Sequence, residues 1–273
     1  MDVNEINEWL TDRKKDYREY TAQQAIKNNK LLVNTEYGCF SFKSTTNFSN
    51  KFFDQKDELI KILDFFQNNK EWYEKKGIPH TLGILLYGPP TTGKTSIIKS
   101  IMNYLKRDAH IVKLTKYSNP YINETLHNSR CIVVFEDIDC LDGITTNRNG
   151  EIPKRNEKEL TEYKNQNTNK KEITLQEILN ILDGLDEGSD RLIIMTTNHP
   201  EKLDPAITRP GRIDIKLEMP NASLKSLQDI INHFYNSNII VTNKELDKKF
   251  SPAEIVNMCR TNTLDELCLK LDL

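Results

Sequence analysis

The chain has 273 residues, a length that fits one large domain or two modest ones. Its 38 basic and 40 acidic residues give a net charge of -2, which argues against a protein that binds nucleic acid through bulk positive charge. Hydrophobic residues make up 37% of the chain, enough for a substantial core. The longest apolar runs are far shorter than the roughly 18 residues of a membrane helix, so we expect no membrane span.

The first residues, MDVNEINEWL, include three acids. A secretory signal peptide has a basic start and an apolar stretch, and a mitochondrial presequence avoids acids, so this start fits neither. The five cysteines form no CxxC pair and are odd in number, as is typical of reduced thiols. These observations predict a cytoplasmic protein.

The first part of the chain is predicted to hold a helix within residues 3–29, a hairpin and two more helices. The hairpin pairs Leu31–Val33 with Cys39–Phe42. After Leu82 the pattern becomes strand, turn, helix, repeated, which predicts a parallel sheet covered on both faces. The predicted strands are Ile84–Tyr87, His110–Leu114, Cys131–Phe135, Leu192–Thr196 and Ile213–Leu217. The predicted helices among them are Lys94–Lys106, Tyr121–His127 and Leu175–Leu182.

The strongest motif is a full match to G-x-x-x-x-G-K-[ST], entered by a predicted strand and left by a predicted helix. Glycines let backbone N–H groups turn toward phosphate oxygens, and the helix N-terminus adds its positive end. Lys94 would contact the β- and γ-phosphates, and the Thr95 hydroxyl would bind Mg²⁺. The alternative is a Gly-Pro turn that matches by chance, which the flanking strand and helix disfavour. The predicted phosphate-binding residues are Gly88, Pro89, Pro90, Thr91, Thr92, Gly93, Lys94 and Thr95.

Clustered acids follow the apolar run Cys131–Phe135. In P-loop enzymes, a strand beside the P-loop strand ends in an acid that holds the Mg²⁺ site, often followed by an acid that activates water. By position, Glu136 takes the metal role and Asp137 the water-activating role, in the reverse of the usual Asp-Glu order. Asp139 could be an orienting or an inter-subunit group. Without the P-loop, a polar strand end in solvent would be the simpler interpretation.

A polar segment follows the run Leu192–Thr196. Asn198 could hydrogen-bond the attacking water or the γ-phosphate. Arg209 and Arg212 flank a Pro-Gly turn, which we expect to lie far from the chain's own P-loop. Since arginine can stabilise charge on a transferred phosphoryl group, both are predicted to act on the nucleotide of a neighbouring subunit. An Asx-turn and two solvated arginines are the alternatives.

The motifs GPPTTGKT, VVFEDID and MTTNHPEKLDPAITRPGRID resemble those of AAA-type ATPases, over roughly residues 48–260. The finer resemblance is to the mitochondrial Rieske-protein translocase subfamily, through Trp72-Tyr73, Gly77-Ile78-Pro79 and the reversed Glu136-Asp137 pair. One departure is Thr91, where the family usually has Gly. The resemblance implies a three-layer α/β P-loop domain with a parallel sheet and a small C-terminal helical lid. It also implies ATP and Mg²⁺ as cofactors, and a homo-oligomeric ring of six or seven subunits.

The expected domains are a helix and hairpin extension at 1–47, an α/β nucleotide-binding domain at 48–220 with a mobile polar insertion at 142–171, and a helical lid at 221–273. The predicted function is ATP hydrolysis coupled to remodelling or translocation of a protein client. An ATP-gated binding module with little turnover and a nucleic-acid remodelling ATPase remain as alternatives. Tyr117 and Tyr121 could grip a client, although packing on the domain surface is favoured.

Overall fold

The computed structural model describes residues 31–35, 38–112, 131–140, 179, 182 and 190–273. Several predicted features lie outside these residues: the helix within 3–29, the helix Tyr121–His127, most of the helix Leu175–Leu182, and the insertion at 142–171. The two candidate client-gripping residues, Tyr117 and Tyr121, also lie outside them.

The described part of the chain contains seven β-strands and six α-helices. The strands are β1 (Leu32–Thr35), β2 (Gly38–Ser41), β3 (Thr81–Tyr87), β4 (Ala109–Val112), β5 (Ile132–Phe135), β6 (Arg191–Thr197) and β7 (Ile215–Glu218). The helices are α1 (Lys56–Asn68), α2 (Lys70–Lys76), α3 (Lys94–Leu105), α4 (Leu224–Tyr235), α5 (Pro252–Thr261) and α6 (Leu264–Leu271).

The strands form one sheet in the order β2-β1-β4-β5-β6-β3-β7. Every neighbouring pair is parallel except β1 and β2, which form the predicted hairpin. The paired strands extend further than predicted, to Thr35 and Gly38. The mostly parallel α/β sheet is confirmed.

One expectation about this sheet is wrong. The acidic strand β5 does not lie beside the P-loop strand β3, because β6 pairs with both and separates them. In the shared register, Ile194 of β6 pairs with Ile84 on one side and with Val134 on the other. The side chains of β6 are buried along its whole length, as expected for a central strand between two covered faces. The end of β6 therefore lies between the P-loop and the acidic residues.

Apolar side chains of successive strand residues enter cores on opposite faces of the sheet. Ile84 and Leu86 pack with α1 and α3 in one cluster, whereas Leu85 belongs to the other cluster. Such alternation follows from the two-residue period of a strand. The second face is covered by residues that include Leu182 and Leu203. The sheet is therefore the middle layer of three.

A separate apolar cluster joins α4, α5 and α6. A capping box begins α5: Ser251 N donates to Glu254 Oε2 at 2.8 Å and Glu254 N donates to Ser251 Oγ at 3.3 Å. Phe52, which precedes α1, packs against this cluster and so connects the helices to the α/β body. No helix in the described ranges combines the length and apolarity needed to cross a bilayer.

Candidate active site

The P-loop joins the end of β3 to the start of α3 and depends on two glycines. Gly88 has φ +140°, and a Cβ there would lie 2.3 Å from the carbonyl oxygen of Met219. Gly93 has φ +101° and is the N-cap of α3. Glycine alone adopts such dihedrals at little cost. The loop is therefore built for close backbone approach, as phosphate binding requires.

Lys94 is buried and already hydrogen-bonded. Its Nζ atom donates to the carbonyl oxygens of Gly88 and Pro89 at 2.7 and 2.8 Å. A third hydrogen bond, of 2.7 Å, goes to Asn198 Oδ1 at the end of β6. Burial lowers the pKa of Lys94 from its ordinary value, while Asp137 and Asp139 act in the opposite direction. The structure therefore brings Lys94 and Asn198 together although 104 residues separate them.

The acidic segment after β5 lies against the end of β6. The backbone N–H of Asp137 donates to Thr196 Oγ1 at 3.0 Å. Oδ1 of Asp139 accepts hydrogen bonds from Thr197 Oγ1 at 2.6 Å and from the backbone N–H of Asn198 at 3.3 Å. Of the two roles left open for Asp139, these contacts favour the orienting one.

A cavity of about 620 Å³ opens between the P-loop and the C-terminal helices. Its polar end is formed by the P-loop with Asp137 and Asn198, whereas Glu136 does not line it. The opposite wall comes from the chain before α1, from Met219 after β7, and from α4 and α5, and is largely apolar. The volume falls within the usual range for small-molecule sites, about 300–1,000 Å³. The residues of the opposite wall are Asn50, Lys51, Phe52, Phe53, Met219, Ile230, His233, Phe234, Pro252, Ala253 and Val256.

This apolar wall was missed by the sequence reasoning, because its residues come from four separated parts of the chain. The rings of Phe52 and His233 face each other with centroids 5.3 Å apart, which joins the chain before α1 to α4. Lys56 Nζ donates to the carbonyl oxygens of Phe48 and Lys51, at 3.0 and 3.2 Å, and so fixes the backbone beside Phe52. The adjacent aromatic residues 52 and 53 are the only local sequence signal.

The two candidate arginines lie away from the cavity. Arg209 is exposed, and Arg212 is half-buried with its Nη1 atom donating to the carbonyl oxygen of Ala206 at 2.5 Å. Neither arginine is among the described residues that line the cavity. That they act on the nucleotide of a neighbouring subunit stays a prediction.

The donors around the polar end suit Mg²⁺. The Thr95 side chain is exposed and lines the cavity, and Asp137 contributes a carboxylate to the same wall. Oxygen donors of this kind are those that Mg²⁺ prefers, and it commonly uses one or two protein ligands together with phosphate oxygens.

Comparison with known families decides the identity of this domain. The model of the ATPase family associated with various cellular activities, AAA, matches residues 84–221. The chain belongs to the AAA family. Membership supports the predicted enzyme class, an ATP hydrolase, and the predicted binding of a nucleotide.

Curated relatives place the chain close to the Bcs1 subfamily of AAA ATPases. An AAA-ATPase of Arabidopsis thaliana is 35% identical over 212 residues, which cover 74% of this chain and 40% of the relative. A relative in Schizosaccharomyces pombe, named "Probable mitochondrial chaperone bcs1", is 35% identical over 64% of this chain and 36% of its own length. One in Dictyostelium discoideum, named "Probable mitochondrial chaperone BCS1-A", is 35% identical over 72% of this chain and 45% of its own length. The chain spans less than half the length of these relatives.

The prediction of a cytoplasmic protein is wrong. Two relatives carry names that place them in mitochondria, and this finding contradicts the cytoplasmic prediction. The prediction depended on the three acids among the first ten residues and on the cysteine pattern. Neither feature is specific to one compartment.

Proposed function

We propose that the protein binds ATP with Mg²⁺ and hydrolyses it in a homo-oligomeric ring of six or seven subunits. Hydrolysis would drive remodelling or translocation of a protein client. The observation that carries this proposal is the convergence of Lys94, Asn198 and Asp137 at one end of the 620 Å³ cavity. A cation, an amide and a carboxylate at one end of a cavity are groups that phosphoryl transfer to water uses.

Each group has a separate task in this proposal. Lys94 exchanges its carbonyl partners in the P-loop for the β- and γ-phosphate oxygens, and Asn198 orients the attacking water or the γ-phosphate. Asp137 accepts a proton from that water. Thr95 would hold Mg²⁺, which when bound neutralises negative charge on the phosphates. Glu136 lies outside the described lining and would act on the ion through a water molecule. The base of the nucleotide would occupy the apolar wall, between the chain before α1 and helix α4.

The lid role of residues 221–273 belongs to the same proposal. α4 and α5 supply part of the cavity wall, so a bound nucleotide would touch both the α/β body and these helices. A change at the phosphates would then reach the helices through the same ligand. The names of the Bcs1 relatives support a chaperone-like role in mitochondria for the protein.

A turnover assay separates the proposal from its two alternatives. Purified protein should bind ATP in calorimetry and release phosphate with Mg²⁺ present, at a rate that nucleic acid leaves unchanged. Binding without turnover would favour an ATP-gated binding module. Stimulation by DNA or RNA would favour a nucleic-acid remodeller.

A protein client can be sought with a variant that binds ATP but does not hydrolyse it. A hydrolysis-blocked Asp137→Asn variant should retain a protein client in the presence of ATP and release it in ADP. Lys94→Ala is the matched control, because it should fail to load ATP and so retain nothing. Equal retention by both variants would contradict a client held in an ATP-dependent way.

A further inference from the structure

Two adjacent threonines at the end of β6 contact the acidic segment that follows β5. Thr196 Oγ1 accepts the backbone N–H of Asp137 at 3.0 Å, and Thr197 Oγ1 donates to Asp139 Oδ1 at 2.6 Å. Thr196 and Thr197 are 2% and 0% exposed, so neither hydroxyl is available to solvent. The two side chains are too deeply buried to be surface polar groups, and each hydroxyl contacts one acidic residue.

The threonines approach this segment from opposite faces of the sheet. Successive strand residues point to opposite faces, and the preceding pair, Ile194 and Met195, lies in the two different apolar clusters. Both hydroxyls nevertheless contact the same acidic segment, so the segment is bonded from both faces of the strand end. Residues 136–139 are therefore held at two points, one before and one after Ile138, which is itself buried.

The first point fixes the backbone of Asp137. This residue has φ +49°, a left-handed conformation that aspartate adopts more readily than most residues but still at a cost. Its N–H would lose its partner if the Thr196 hydroxyl were removed. The Asp137 side chain is exposed and lines the cavity, so its direction depends on this backbone conformation.

The second point connects the acidic segment to the P-loop. Asp139 also accepts the backbone N–H of Asn198 at 3.3 Å, and Asn198 Oδ1 accepts Lys94 Nζ at 2.7 Å. Thr197 Oγ1 additionally accepts the N–H of His199 at 2.9 Å, which closes the turn after β6. A continuous series of hydrogen bonds therefore runs from Thr197 through Asp139 and Asn198 to Lys94.

We propose that Thr196 and Thr197 are positioning residues for ATP hydrolysis. Thr196 holds Asp137 at the angle needed to take a proton from water, and Thr197 holds Asp139 and Asn198 in register with Lys94. The proposal rests on the ATPase function proposed above. Because misplacement of a reacting group by about 1 Å can cost 10²-fold in rate, loss of the Thr196 hydroxyl should lower turnover strongly.

The test compares isosteric and conservative variants of Thr196 in the full chain. Thr196→Val keeps the shape and removes the hydroxyl, and it should lower kcat by about 10- to 100-fold while the Kd for ATP stays within about twofold. Thr196→Ser restores the hydroxyl and should recover most of kcat. This split between kcat and binding is the readout that a purely structural role would not produce. If Thr196→Val fails to fold, Thr196→Ala replaces it, with the same expected loss of kcat and the same unchanged Kd for ATP.

Ser100→Ala is the matched control, because Ser100 is also fully buried but its hydroxyl bonds to the Ser96 carbonyl within α3. It should leave kcat unchanged. A folded Thr196→Val variant with wild-type kcat would overturn the inference, as would an equal loss of kcat and ATP affinity. If wild-type protein binds no ATP or shows no turnover, the proposed function itself fails, and the two failures are thus distinguishable.

Discussion

Asp137 and Glu136 are neighbours in sequence but lie in different surroundings. The Asp137 side chain is exposed at the cavity, whereas Glu136 is half-buried and absent from the described lining. A carboxylate that must reach water and nucleotide is better placed at Asp137. The order of the pair in the sequence alone could not decide this, because both acids follow the same strand.

Asp137→Asn should therefore retain ATP and lose turnover by about 10²- to 10⁴-fold, since it keeps the side-chain size and removes the proton acceptor. Phosphate release and calorimetric ATP affinity, measured on the same protein, check this prediction. Glu136→Gln is the companion variant, for which weaker Mg²⁺-dependent binding is expected. Normal hydrolysis by Asp137→Asn together with a dead Glu136→Gln would reverse the two assignments.

Thr91 is strained within the P-loop. It has φ +67°, in the left-handed region, where a β-branched residue is a genuine outlier. The sequence marks this position only as a departure from the Gly expected by resemblance, and the dihedral explains why Gly suits it. Because the Thr91 side chain is exposed, little packing opposes its removal.

Thr91→Gly should raise the free energy of unfolding by up to about 1 kcal/mol. Left-handed backbone costs a non-glycine residue about 1–2 kcal/mol, and the entropy lost by glycine on folding offsets roughly half of that. The urea midpoint of unfolding measures the change. Thr92→Gly is the contrasting variant: Thr92 is buried and donates to the Pro89 carbonyl at 2.8 Å, so its loss should destabilise the protein. A Thr91→Gly variant less stable than wild type would show that Thr91 makes a stabilising contact.

Strand β3 determines where the turn that carries Arg209 and Arg212 lies. A Cβ on Gly83 would lie 1.9 Å from the carbonyl oxygen of Arg212. Two hydrogen bonds also join Gly83 to Asp214: Gly83 N donates to Asp214 Oδ2 at 2.8 Å, and Asp214 N donates to the Gly83 carbonyl oxygen at 2.9 Å. The turn that carries both arginines is thus anchored to the P-loop strand.

Gly83→Ala should displace this turn and destabilise the protein by about 1–3 kcal/mol, the usual cost of overpacking. Chemical denaturation measures the loss, and ATPase activity should fall with it because Arg212 moves. Gly77→Ala separates the clash from ordinary glycine strain, since Gly77 has φ +63° but a Cβ added there would meet nothing within 4 Å. A Gly83→Ala variant no less stable than Gly77→Ala would mean that the strand tolerates the added methyl group.

The positions of the β-strands were largely predictable, and their order was not. Buried strands such as Cys131–Phe135 and Leu192–Thr196 are short apolar runs, and the observed β5 and β6 match them within one residue. Placing β6 between β3 and β5 depends on which strands pair in space, which periodicity does not encode. The same limit applies to the cavity: the P-loop is a local motif, whereas Phe52 and His233 meet only through tertiary packing.

The positions of the two arginines relative to the cavity bear on how the protein would work as an assembly. Arg209 and Arg212 lie on the turn before β7, outside the described lining of the cavity. Among the described residues, no arginine lines the cavity where the nucleotide would bind. In a ring, a neighbouring subunit could supply one, and activity per subunit should rise with protein concentration as rings form.

Mixing two inactive variants tests this arrangement. Lys94→Ala removes the charge that holds the phosphates, and Arg212→Ala removes the proposed donor to the neighbouring site, so each variant alone should hydrolyse little ATP. Mixed rings contain interfaces where an intact P-loop meets an intact Arg212, and there hydrolysis should return in proportion to the number of such interfaces. Mass measurement of the mixture establishes that mixed rings form. If these rings stay inactive, or if isolated monomers already show full activity, the arginines do not act between subunits.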